Sequence, residues 1–174
     1  MPSSIFFPMT PDGYRMVEDQ NDYEIALGHR YCAFYSATVA GSSGTNIVAM
    51  VTNAEKICEA WFSIETDKAG LYELYEGAVV SAGSALTAVN NNRNSTNTAD
   101  CLIYGNPSVA TAGTFVGAHV IGSTTGGASK SGGSSSTNKY QLKLDTTYIL
   151  RFTTDSDNTR VTQGVYWREC DSTS

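Results

Sequence analysis

The sequence predicts an all-β domain folded as a two-sheet sandwich, and three observations carry that expectation. Alternation of apolar and polar residues recurs at short intervals from Tyr31 to Glu169. Helical periodicity is absent almost throughout. Turn signals rich in Gly, Ser, Asn and Asp separate the alternating segments, and two long connections, 77–99 and 122–139, interrupt them. Connections of that size fit Greek-key crossovers better than an up-and-down meander. A jelly-roll β-sandwich of about eight main strands ranks first, and an immunoglobulin-like sandwich, without its Cys…Trp…Cys spacing here, ranks second.

Residues 1–30 read as an extended N-terminal arm. They hold three of the four prolines (Pro2, Pro8, Pro11), the aromatics Phe6, Phe7, Tyr14 and Tyr23, and an acidic patch over 18–24. Proline keeps such a segment extended and out of sheet interiors. An apolar pair such as Phe6-Phe7 is better explained by docking than by free solvation. The sandwich domain is then 31–170, with a short tail at 171–174.

The strands follow in order. Tyr31–Val39 places Tyr31, Ala33, Tyr35, Ala37 and Val39 on one face. After the turn Gly41-Ser-Ser-Gly44, the segment 46–52 is a β-branched run. In 57–66, Cys58, Ala60, Phe62 and Ile64 share the inner face and Glu59, Trp61, Ser63 and Glu65 the outer one. The turn Asp67-Lys-Ala-Gly70 leads into Leu71–Glu76. Segments 101–104 and 114–121 continue the series. In 147–154, Tyr148, Leu150 and Phe152 face the core; in 160–169, Val161, Val165 and Trp167 share a face. The stretch 122–137 is low-complexity Gly/Ser/Thr, which cannot bury apolar surface and reads as a flexible projecting loop inside the domain.

Composition narrows the function classes. With 174 residues, one domain is expected, and 41% hydrophobic residues suffice for one core. No apolar run reaches the ~20 residues of a spanning helix, so no membrane partner is expected. The N-terminus lacks the basic and apolar regions of a signal peptide, so folding in a cytoplasm is expected. Lys and Arg total 11 against 17 Asp and Glu, a net charge of −6. An acidic chain without a basic run is a poor match for phosphate backbones, and no direct nucleic-acid contact is expected.

Chemical signatures are sparse. His29 and His119 stand far apart without metal-ligand spacing and read as structural side chains. No nucleophile elbow, P-loop or dinucleotide fingerprint occurs. Asp155-Ser-Asp-Asn158 resembles the start of a calcium loop but lacks its glycine and distal glutamate, and reads as a tight polar hairpin. The pairs Glu59/Glu65 and Glu73/Glu76 are the only imaginable glycosidase carboxylates, and alternation puts the first pair on a solvent face. Cys32, Cys58, Cys101 and Cys170 allow two disulfides in three connectivities, but read as four small hydrophobes in a reducing compartment. The chain is therefore expected to be no enzyme and to need no cofactor or metal. Two side chains stand out as interface candidates: Trp61 on an outer strand face, and Arg93 amid the amides of 90–98. Those amides have a structural purpose as well, since they can satisfy loop backbone groups.

Four segments resemble a family of small proteins from the structural gene modules of tailed bacteriophages, the capsid cement, decoration or head-fibre proteins. They are Leu71-Tyr-Glu-Leu-Tyr-Glu-Gly77, Asn92-Arg-Asn-Ser-Thr96, the glycine-rich 122–137, and Leu144-Asp-Thr-Thr-Tyr-Ile-Leu-Arg-Phe-Thr153, in that order. The resemblance implies a jelly roll on the exterior of the phage head, usually trimeric, that braces neighbouring major capsid protein subunits. Phe6, Phe7 and Tyr14 are then the candidate capsid contacts. The alternative is a phage fibre or spike module that binds a host receptor or glycan, with Trp61 or a tyrosine as its stacking face.

Overall fold

A computed structural model describes residues 20–81, 83–122, 134–135 and 138–171. Phe6, Phe7 and Tyr14 lie outside them, as does most of 122–137. The elements are α1 (Gln20–Ala26), β1 (Arg30–Val39), β2 (Thr45–Val51), β3 (Lys56–Thr66), β4 (Gly70–Glu76), β5 (Val79–Ser81), β6 (Ser84–Leu86) and β7 (Val89–Asn90). The series continues with β8 (Leu102–Gly105), β9 (Ser108–Thr111), β10 (Thr114–Ile121), β11 (Ser134–Ser135), β12 (Tyr140–Leu142), β13 (Thr147–Thr154) and β14 (Thr159–Asp171).

All pairing is antiparallel. One sheet runs β11-β3-β14-β1-β7, with β12 also on β3; the other runs β10-β4-β13-β2-β8-β6, and β5-β9 form a separate ribbon. The turns β1–β2, β2–β3, β3–β4 and β13–β14 each carry the chain from one sheet to the other. Every one of the eight expected strands is present, with ends shifted by two residues at most. Asp155–Asn158 is the expected tight polar turn, but the strands it joins lie in opposite sheets and do not pair with each other. Thr154 and Thr159 hold it through hydrogen bonds to Ser156.

The core lies between the sheets. Phe62 and Ile64 from β3, Val161, Val165 and Trp167 from β14, and Tyr31 and Ala33 from β1 meet Val48, Met50, Tyr72, Leu74, Tyr148, Leu150 and Phe152 from the second sheet. Burying each large side chain contributes roughly 1.5–3 kcal/mol. A smaller cluster, Ala49, Ala78 and Ile149, sits on the other face of the second sheet and packs with Val80 and Val109 of the β5-β9 ribbon. Cys58 is in β3 as expected, whereas Cys101 precedes β8 and Cys170 falls inside β14.

Residues 20–26, expected to be part of an extended arm, are helical. The short helix stops at Gly28, whose φ of +72° suits glycine. His29 N–H donates to Glu24 C=O (3.1 Å) and Gly28 N–H to Ile25 C=O (2.9 Å), a Schellman closure. What holds the helix down is the amide loop. Asn92 Nδ2 donates to Ala26 C=O (3.0 Å), Asn97 Nδ2 to Leu27 C=O (3.2 Å), and Asn90 Nδ2 to Gly28 C=O (2.9 Å). A Cβ on Gly28 would lie 2.2 Å from Ser95 Oγ, so glycine also permits the close approach of this loop. The far end of the loop is held by Glu169, a buried carboxylate on β14. It accepts the N–H groups of Asp100 and Cys101 and the indole N–H of Trp167.

Candidate functional surface

The outer face of the first sheet carries a row of aromatic side chains. Antiparallel register sets Trp61 of β3 opposite Tyr166 of β14, and Phe34 of β1 opposite Gly164 of β14. Trp61 and Tyr166 stack at 5.8 Å with their planes 7° apart, and Phe34 meets Tyr166 edge-on at 5.5 Å. Gly164 makes room for the row: a Cβ there would lie 2.5 Å from Ser63 Oγ and 3.0 Å from the Tyr166 ring. Phe34 is 52% exposed, a large apolar side chain left open to solvent in the middle of a sheet.

Cations border the row. The Arg30 guanidinium lies 4.4 Å from the Trp61 ring centroid, and Lys139 Nζ 5.8 Å from it. Beyond Arg30, Arg168 is gripped on two sides. Its Nε and Nη2 donate to Glu59 at 2.9 Å, and its Nη1 to Glu24 at 2.9 Å. The Glu59 carboxylate raises the Arg168 pKa above its ordinary value. His29 Nδ1 sits 3.5 Å from the other oxygen of Glu24. The network ties α1 to the sheet at the border of the aromatic row and fixes the surface geometry.

Trp61 is therefore on the outer face, as alternation predicts, but it is half-buried between its neighbours rather than isolated. Arg93 is exposed at the tip of the amide loop. Its charge reaches Cys32, which lies between Arg30 and Phe34 on β1: burial pushes the Cys32 thiol pKa up and Arg93 pulls it back. Phe34, Tyr166 and Arg30 were not singled out from sequence, yet the signal was there. They fall at even positions in strands whose odd positions form the core.

Past Phe34 the same face runs into a groove of about 640 Å³ lined by Ser36, Thr38, Glu65, Asp67, Arg160 and Thr162. The Ser36 and Thr162 hydroxyls bond to each other at 2.8 Å. A second open surface is the edge strand β10. Among the described strands β4 is its one neighbour; Phe115, Val116 and Val120 are exposed, and 114–121 holds no Asp, Glu, Lys or Arg.

Of the carboxylates considered as catalytic pairs, Glu65 is exposed in the groove and Glu59 is bound to Arg168, and the other two are also engaged. Glu73 accepts from Arg151 Nε (2.9 Å) and from the Tyr75 hydroxyl (2.9 Å) on the outer face of β4. Glu76, on the opposite face, pairs with Lys143 (2.5 Å) and accepts from the Tyr148 hydroxyl (2.9 Å). Among the described residues no group of three His, Cys, Asp or Glu side chains is placed to hold a metal. No helix of the described residues is long and apolar enough to cross a membrane. The surface offers π faces, fixed cations and a bare sheet edge, which is chemistry for binding. No protein-family model matches the chain, and no curated protein matches it in sequence.

Proposed function

We propose that this chain is a non-enzymatic virion protein that decorates a tailed-phage capsid and stabilises it by bridging major capsid protein subunits. The observation that carries the proposal is the Phe34–Tyr166–Trp61 row with its bordering arginines. Trp, Tyr and Arg are the residues that dominate protein–protein binding energy, and here they are fixed in place before any partner arrives. A rigid aromatic face loses little entropy on docking, which suits a protein whose work is added contact area. The sheet orders support a jelly-roll reading, because β1-β14-β3-β12 and β2-β13-β4-β10 are the two four-strand orders that such a roll requires. The edge of β10, without Asp, Glu, Lys or Arg, supports self-association into the trimer implied by the resemblance. A net charge of −6 favours contacts between copies where charge is absent. Repeated weak contacts then sum through avidity.

The test is decoration of heads that lack the protein. Phe34→Ala with Trp61→Ala is expected to leave a folded protein that binds heads at least 100-fold more weakly. Removal of residues 1–19 spares α1 and measures the separate share of Phe6, Phe7 and Tyr14. Undiminished decoration by the double variant refutes the assignment of this face.

The hydroxyl-lined groove beside Phe34 favours a second reading, a fibre or spike module that stacks a sugar on the aromatic row and hydrogen-bonds its hydroxyls from Ser36, Thr38 and Thr162. Glycan-array binding that is lost with Phe34→Ala, together with no affinity for heads, would select it.

A further inference from the structure

Two of the four thiols meet inside the sandwich. Cys58 of β3 and Cys101, the residue before β8, are both buried in the main core, and the Cys101 thiol lies close enough to Cys58 to raise its pKa. The placement is enforced from three directions. Cys58 stands directly opposite Glu169 in the β3–β14 register, and Glu169 Oε1 accepts the Cys101 N–H at 2.9 Å. On its other side Cys58 is paired with Leu142 of β12. Cys101 also forms part of the wall of a cavity of about 290 Å³ beneath residues 85–104, together with Tyr31, Leu86, Asn90 and Ile103. Cys101 thus borders a cavity that Cys58 does not line.

We propose that Cys58 and Cys101 are a modification site, a dithiol that a low-molecular-weight disulfide entering this cavity converts to an intramolecular disulfide. The Cys101 thiol loses its proton and attacks one sulfur of the small disulfide, which leaves as one small thiol and a mixed disulfide on Cys101. The Cys58 thiol then loses its proton, attacks the Cys101 sulfur and expels the second small thiol. Two protein thiols are oxidised and one external disulfide is reduced to two thiols, so atoms and electrons balance. The order follows from the site. Cys101 lines the cavity, whereas Cys58 is fully buried and does not line it, so Cys101 meets the incoming disulfide first. The product joins the first sheet to the entry of the second across the core and closes a loop of roughly 40 residues, which should raise Tm by about 10 °C.

The full chain carrying Cys32→Ala and Cys170→Ala keeps only the buried pair and is treated with bis(hydroxyethyl) disulfide. The expected product is lighter by two hydrogens, gives a peptide map joining Cys58 to Cys101, and melts at higher temperature. Adding Cys58→Ala should stop the reaction at a mixed disulfide on Cys101. Should that variant not fold, the parent measurement decides alone. Three results overturn the proposal: a folded protein that stays unmodified while both thiols react in denaturant, a Cys101 adduct that persists with Cys58 present, or a linked form that melts no higher than the dithiol.

Discussion

Replacing Glu169 by alanine should be among the most damaging single changes on β14. The carboxylate is 3% exposed, and its four hydrogen bonds reach three donors. Its Oε1 accepts from Trp167 Nε1 at 2.8 Å, Cys101 N at 2.9 Å and Asp100 N at 3.1 Å, and its Oε2 accepts again from Asp100 N at 2.9 Å. Alanine leaves three N–H groups without an acceptor, and each orphaned buried donor costs about 1–3 kcal/mol. Water reaching Asp100 recovers part of that, for a net loss of about 3–5 kcal/mol. Glu169→Gln keeps an oxygen at the Oε1 position for all three donors and turns an amide NH₂ toward Asp100 N. Its cost should be about 1 kcal/mol. Urea unfolding followed by tryptophan fluorescence measures both, since Trp167 is itself one of the donors. At a slope of about 2 kcal/mol per molar, the alanine midpoint falls by about 2 M and the glutamine midpoint by about 0.5 M. An alanine variant within 1 kcal/mol of the parent would mean that the loop end does not depend on this carboxylate.

A Cβ on Gly70 would lie 2.4 Å from both the Phe152 ring and the Thr153 carbonyl, so Gly70→Ala should cost about 1–3 kcal/mol; a neutral result in thermal melts would contradict the packing of β4 on β13. The Lys143 ammonium and the Tyr148 hydroxyl hold the Glu76 carboxyl below the ordinary carboxylate range. A depressed carboxyl stabilises the fold above that range and stops doing so as pH falls through it, so an acid limb should appear in Tm against pH and shrink in Lys143→Met. At the other end, burial and the Glu76 hydrogen bond push Tyr148 from 10.0 up to about 12, although its own bond from Lys143 N–H pulls the other way. Its contribution is complete below pH 10 and lost as pH rises toward 12, and Tyr148→Phe should flatten that alkaline limb; an unchanged limb would assign the transition to another group.

Most of the eight main strands were legible because they expose one face and bury the other, a pattern of period two that survives in Ile57–Thr66 and Thr147–Thr154 almost without exception, whereas β10 is exposed on both faces. The other six described strands, of two to four residues each, such as Val89–Asn90, carry too few residues to show a period. Helix α1 was illegible for a different reason. Seven residues have little helical tendency by themselves, and α1 is held by asparagines some 70 positions away. Glu169 had a signal that was passed over: it shares odd parity with Val161, Val165 and Trp167, so alternation alone places a carboxylate in the core. The aromatic row escaped because its members come from three strands, and only the register β3-β14-β1 assembles them.

The position of β13 and β14 has a consequence for how the protein is made. These two strands, residues 147–171, are interior in both sheets: β14 separates β1 from β3, and β13 separates β2 from β4. During synthesis, β1 and β3 leave the ribosome without β14, and β2 and β4 without β13. At about 5–20 residues per second they wait several seconds with apolar faces uncovered. Folding is therefore a late event triggered by the last strands, dominated by contacts distant in sequence and slow for that reason. A nascent chain stalled before Thr147 lacks the interior strand that joins the two halves of each sheet.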